Sequence, residues 1–128
     1  MTEILADIEE DLARSQPIAR THTIWELTLH ISAWLKIARE RLSASENRDP
    51  SPDENWPAIR NSWREALIEL ETEVRALENA IRSFPDDRLD QMAPADEPQT
   101  FYVLLHGVVQ HSAYHAAQIM LLKRATAQ

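Results

Sequence analysis

The sequence predicts an all-α protein, and three observations carry that expectation. Glycine occurs once in 128 residues, so the positive-φ turns that hairpins need are missing. Ala, Leu, Ile, Glu and Arg are abundant, and most of these lose little on entering a helix. Apolar residues recur at three- and four-residue spacing in four segments, separated by polar stretches that carry prolines. The expected architecture is a four-helix bundle forming one domain over residues 1–128.

The first segment, residues 2–14, carries Ile4, Leu5, Ile8 and Leu12 on one face, and Pro17 closes it. The second opens on a capping box, Thr23 as N-cap with Glu26 three residues on. It runs to residue 43 with an apolar stripe of Ile24, Leu27, Ile31, Trp34, Leu35, Ala38 and Leu42. After a loop holding Pro50 and Pro52, the third is expected from Pro57, a favoured first-turn residue, to Ser83. Trp63, Leu67, Leu70, Val74, Leu77, Ile81 and Phe84 keep the alternating four-three spacing of a left-handed helix pair. A second loop, residues 85–99, has three prolines and five acidic residues. The fourth segment, residues 100–125, ends in Lys123 and Arg124, where the helix dipole favours cations. Loops of about a dozen residues exceed the needs of a minimal bundle and point to crossovers or a lid over one end.

Charge narrows the function. The formal net charge is −8, from 21 acidic and 13 basic residues. Such a surface repels phosphate backbones and anionic membranes, so neither nucleic acid nor membrane is an expected partner. No apolar run approaches the roughly 20 residues that cross a bilayer, and no signal-peptide pattern opens the chain. Cysteine is absent, which removes disulfides and any thiol nucleophile of the protein's own. The expected location is the cytoplasm.

Chemistry concentrates in the fourth segment. Its seam reads Phe101, Leu105, Val108, Ser112, His115, Ile119, Leu122, which puts His115 on the buried line. His111 lies one turn earlier, about 40° round the helix, so the two imidazoles share a face. Gln118 lines up with His111 again, seven residues on. A His-x-x-x-His pair on one face can chelate a zinc-like or nickel-like ion, and His30, at the edge of the second segment's stripe, is the candidate third ligand. The alternative is that the histidines are packed side chains and no metal binds. Two buried neutral imidazoles leave nitrogens in need of partners, however, at about 1–3 kcal/mol for each unsatisfied group. His106 points elsewhere, about 140° from His111, and His22 reads as a loop residue. Glu26, one turn before His30, is a candidate catalytic base or orienting group, with capping as its first role.

These residues carry a resemblance. Thr23-Ile-Trp-Glu-Leu-Thr-Leu-His30 with Ile31-Ser-Ala-Trp34, and His111-Ser-Ala-Tyr-His115-Ala-Ala-Gln118-Ile119, resemble the second- and fourth-helix signatures of the DinB/YfiT-like superfamily. The likeness runs from about Thr21 to the C-terminus and includes the acidic turn near Trp56. It implies a bundle of up-down-down-up topology, a nickel or zinc ion on His30, His111 and His115, and commonly a homodimer. Members of known activity transfer or isomerise with a low-molecular-weight thiol such as bacillithiol or mycothiol. Two departures stand out: a short first helix, and Ala117 where that family often has glycine.

Three protein ligands leave a coordination position open, the arrangement of catalytic zinc. With the activity that the resemblance implies, the expected function is divalent-metal-dependent transfer of a small thiol to an electrophilic small molecule. Trp34, Trp56 and Tyr114 are candidates to line the approach, or else to anchor core and loops. The alternative is a non-catalytic bundle whose metal pins two helices for dimerisation or ligand binding.

Overall fold

Three long helices carry the core in the computed structural model, which describes residues 1–127: α3 (Ile24–Arg41), α5 (Trp63–Ser83) and α6 (Phe101–Thr126). Shorter helices α1 (Thr2–Leu5), α2 (Glu10–Arg14) and α4 (Pro52–Asn55) lie between and before them, with a 3-10 turn at Asp86–Arg88. Residue 128, the end of the expected domain, lies outside the described residues. The chain is all-helical, as expected; the only extended pairing among the described residues is an isolated bridge between Met92 and Thr100.

α3 is the centre. Ile24, Trp25, Leu27, Thr28, Leu29, His30, Ile31 and Ser32 are buried, which marks a helix covered on all sides rather than one with a single wet face. α5 and α6 both pack on it, α2 covers it further, and α1 touches α5 and α6. The buried hydroxyls are satisfied inside the helix: Thr28 Oγ1 donates to the Ile24 carbonyl at 2.8 Å and Ser32 Oγ to that of Thr28 at 3.1 Å. The capping box at Thr23 and Glu26 forms as the sequence predicts, with both reciprocal bonds made.

Several expectations need correction. The first segment is two helices, not one over residues 2–14. The Ile8 carbonyl, which an unbroken helix would offer to residue 12, instead accepts the buried Trp63 indole N–H at 2.7 Å. The third helix starts at Trp63 rather than Pro57, because Ser62 and Glu65 form a second capping box that terminates the preceding extended chain. A third box, Ser51 with Glu54, folds α4 inside the loop expected to lack structure. On α5 the seam holds through Leu70 and Leu77, but Ile81 is 40% exposed, as the helix end runs past its cover. On α6 Leu104 is buried and Leu105 only partly so.

The loop over residues 85–99 is ordered by its own backbone. Ala93 N–H donates to the Gln99 carbonyl, and Phe101 and Tyr102 N–H donate back to those of Gln91 and Leu89, all at 2.9–3.0 Å. Asn47 Nδ2 donates to Asp96 Oδ1 at 2.6 Å and so ties the two long loops together. No described helix is long and apolar enough to cross a membrane.

Candidate metal centre

Two helices and one loop bring the site together. His30 comes from the middle of α3, His111 and His115 from successive turns of α6, and the α4 end at Asn55 and Trp56 closes over them. One ring nitrogen from each of His30, His111 and His115 lies within 4.8 Å of the other two. His111 Nε2 stands 3.0 Å from His30 Nε2 and 3.0 Å from His115 Nε2. His30 and His115 are buried and His111 is half-buried.

The outer nitrogens decide the tautomers. His30 Nδ1–H donates to the Asn55 carbonyl at 2.5 Å, and His115 Nδ1–H donates to Gln118 Oε1 at 2.6 Å. Both rings, when neutral, therefore turn a bare Nε2 lone pair toward His111. His111 can offer at most one proton from Nε2, so at least one of the two 3.0 Å contacts sets lone pair against lone pair. Its Nδ1 is buried with no partner. Protonating His111 would fill only its Nδ1 and leave that contact unrelieved, and the charged form is disfavoured besides. Burial, then the neighbouring His115 and His30, push its pKa down to about 4. Burial also lowers that of His30, against the opposing pull of the Asn55 carbonyl.

This frustration is what a cation relieves. Nitrogens held tetrahedrally to a zinc-like ion at about 2.0–2.1 Å stand about 3.3 Å apart, close to the spacing found here. The imidazole-only donor set suits zinc, nickel and similar divalent ions. The two Nδ1–H bonds are the outer supports that metal-ligating histidines characteristically have. The three residues fit a divalent ion.

Around them the rings are stacked. Trp56 lies flat on His30, with centroids 3.7 Å apart at an interplanar angle of 5°, and His22 stacks on Trp56 in turn at 3.7 Å and 14°. Trp34 anchors the same turn through its indole N–H, which donates to Asn55 Oδ1 at 2.7 Å. A cavity of about 320 Å³ opens beside His30 and His111 and runs between α3 and α6 past Trp34 and Leu104 to Arg41.

The other sequence candidates are placed as follows. Glu26 Oε2 is engaged by the Thr23 backbone N–H at 2.8 Å, and its carboxylate serves the cap. His106 is exposed and faces away from the trio, with Nδ1–H to the Tyr102 carbonyl. Tyr114 is 62% exposed and accepts a bond from Gln118 Nε2, so it braces the partner of His115 instead of lining the cavity. Gln118 serves His115 and not His111, with which its seven-residue spacing aligned it. Sequence reasoning misses the Asn55 carbonyl and Arg41. No side-chain pattern announces a backbone acceptor, and Arg41 reads in the sequence as one more cation near a helix C-terminus.

Comparison with known proteins adds one result. A family model described as the DinB superfamily matches residues 1–119. Among curated proteins, no match was found.

Proposed function

Because the chain belongs to the DinB superfamily, we propose that His30, His111 and His115 hold one divalent ion, zinc or nickel, and that the protein is a metal-dependent enzyme. Its reaction is transfer of a low-molecular-weight thiol to an electrophilic small molecule. The observation that carries this reading is the convergence of three Nε2 atoms, two of them with fixed tautomers, beside an open cavity. A bound divalent ion supplies Lewis acidity that lowers the pKa of a thiol or water and makes it nucleophilic at neutral pH.

The chain's own residues do the rest. The Asn55 carbonyl and the Gln118 amide keep His30 and His115 in the Nδ1–H form, so their Nε2 lone pairs remain available. Trp56 covers His30 and limits water there. The absence of cysteine fits a thiol that arrives with the cosubstrate. The same proposal takes the fold as one domain in the up-down-down-up order, with α1 and α2 sharing the place of the first helix, and the cytoplasm as the place of work.

The test is elemental analysis of untagged protein followed by an electrophile offered with a panel of small thiols. Near-stoichiometric metal is expected in the native chain, and His111→Ala and His115→Ala should each lose most of it while keeping their helicity. Unchanged metal in both variants overturns the ligand set. Metal-dependent adduct formation supports transfer. Full occupancy without turnover on any thiol favours the other reading, a binding bundle in which the ion links α3 to α6.

We also propose a homodimer. Tyr102, Val103, Val109, Tyr114 and Leu121 lie on one side of α6 and are each more than half exposed, an apolar face of the kind that marks an interface. Light scattering should return twice the chain mass, and Val109→Glu should return the monomer.

A further inference from the structure

Arg41 is the last residue of α3. It stands eleven positions after His30, three helical turns, so the two lie on the same face about 16 Å apart along the axis. Helical side chains lean toward the N-terminus, which tips the guanidinium back toward the histidines along the cavity. Trp34 lies between: its ring centroid is 5.6 Å from that of His111 and 5.9 Å from the Arg41 guanidinium carbon. Of the residues lining the cavity, Arg41 alone carries a full charge.

That charge is poorly used by the protein. The side chain is only 13% exposed, yet its Nε is buried with no hydrogen-bond partner. Its nearest carboxylate is Asp49, with Oδ1 3.6 Å from Nη2, beyond hydrogen-bonding distance. Burial pushes the Arg41 pKa down, against the smaller opposing pull of Asp96, and Asp96 spends Oδ1 on Asn47. Among the described residues the guanidinium makes no hydrogen bond, although it has five N–H groups in a planar fork. A buried fork of this kind is matched by a planar monoanion that accepts two parallel bonds. A doubly charged phosphate would meet Asp49 and Asp96 with only one cation to offset them.

We propose that this cavity binds a small organic carboxylate, its anionic end on Arg41 and its apolar body along Trp34, Leu104 and Val108, with the other end directed at the histidines. The cavity of about 320 Å³ is at the small end of ligand sites, and its make-up, an apolar channel with one charged group, is what such sites require. The proposal deepens the functional reading above, on which it rests for the chemistry at the histidine end. It identifies the substrate or the thiol as a carboxylic acid.

The test uses the full metal-free chain and two isosteric probes, 4-phenylbutyrate and its neutral amide, followed through the Arg41 Nε–H and Trp34 indole N–H resonances. The carboxylate is expected to bind at least tenfold more tightly than the amide and to move the Arg41 Nε–H signal, which the amide leaves in place. In Arg41→Gln the preference should fall below about twofold, and the variant as purified, before its metal is removed, should carry the wild-type metal content. Equal affinity for the two probes, an Arg41 signal that neither moves, or a preference that survives Arg41→Gln would overturn the proposal. The probe comparison on the unaltered chain stands even if Arg41→Gln does not fold. No metal takes part in the titration, so a failed metal assignment and a failed carboxylate site give different results.

Discussion

At the scale of single residues, the site is governed by which nitrogen of each imidazole has a partner. Gln118 holds the His115 Nδ1–H, so Gln118→Leu should lower metal affinity by about 10- to 100-fold, the usual effect of losing such a support. A competitive chelator titration measures it, with circular dichroism unchanged. The depressed pKa values of His111 and His30 also make the metal-free fold sensitive to acid. The unfolded chain takes these protons near the ordinary value of about 6.5, whereas folded His111 resists them down to about 4. The folded form therefore binds fewer protons between those values. Its stability is complete above the upper one and drains away as the pH falls toward the lower. The thermal midpoint of the metal-free chain is expected to drop between about pH 6.5 and 5, before most carboxylates titrate, and His111→Gln should flatten that drop. A level midpoint in the native chain would contradict the depressed values.

At the scale of elements, three Ser/Thr-x-x-Glu boxes set where α3, α4 and α5 begin. Thr23→Ala and Ser62→Ala should each cost about 1 kcal/mol in denaturant unfolding. The N-terminal break depends on a different bond. Trp63→Phe keeps an aromatic ring but leaves the Ile8 carbonyl without its indole partner, a loss of about 1–3 kcal/mol. Amide exchange should quicken first in residues 10–14, which that bond holds in place. α4 matters to the candidate site in spite of its four residues. It sets Asn55 and Trp56 over His30, so the loop between two long helices becomes part of the site.

At the scale of the whole molecule, α3 is the shared partner of the other long helices, and the core is continuous through it. Leu70, fully buried on α5, should lose about 2–5 kcal/mol on substitution by Ala, without loss of the histidine cluster on the α3–α6 side. The sequence by itself determined the long helical segments, the cap at Thr23 and the pairing of His111 with His115, because these depend on spacings of three and four residues. It also singled out His30, through a stripe and a motif. Only the tertiary structure decided that the three rings meet, that Asn55 and Trp56 close over them, and that Arg41 faces the same cavity. Those facts join residues 25 to 81 positions apart in the chain, and such contacts follow from how helices pack against one another, which local periodicity does not encode. The same reason accounts for the missed break in the first helix and the misread start of the third, where a Trp63–Ile8 bond and a cap at Ser62 outweighed the local apolar pattern and a proline.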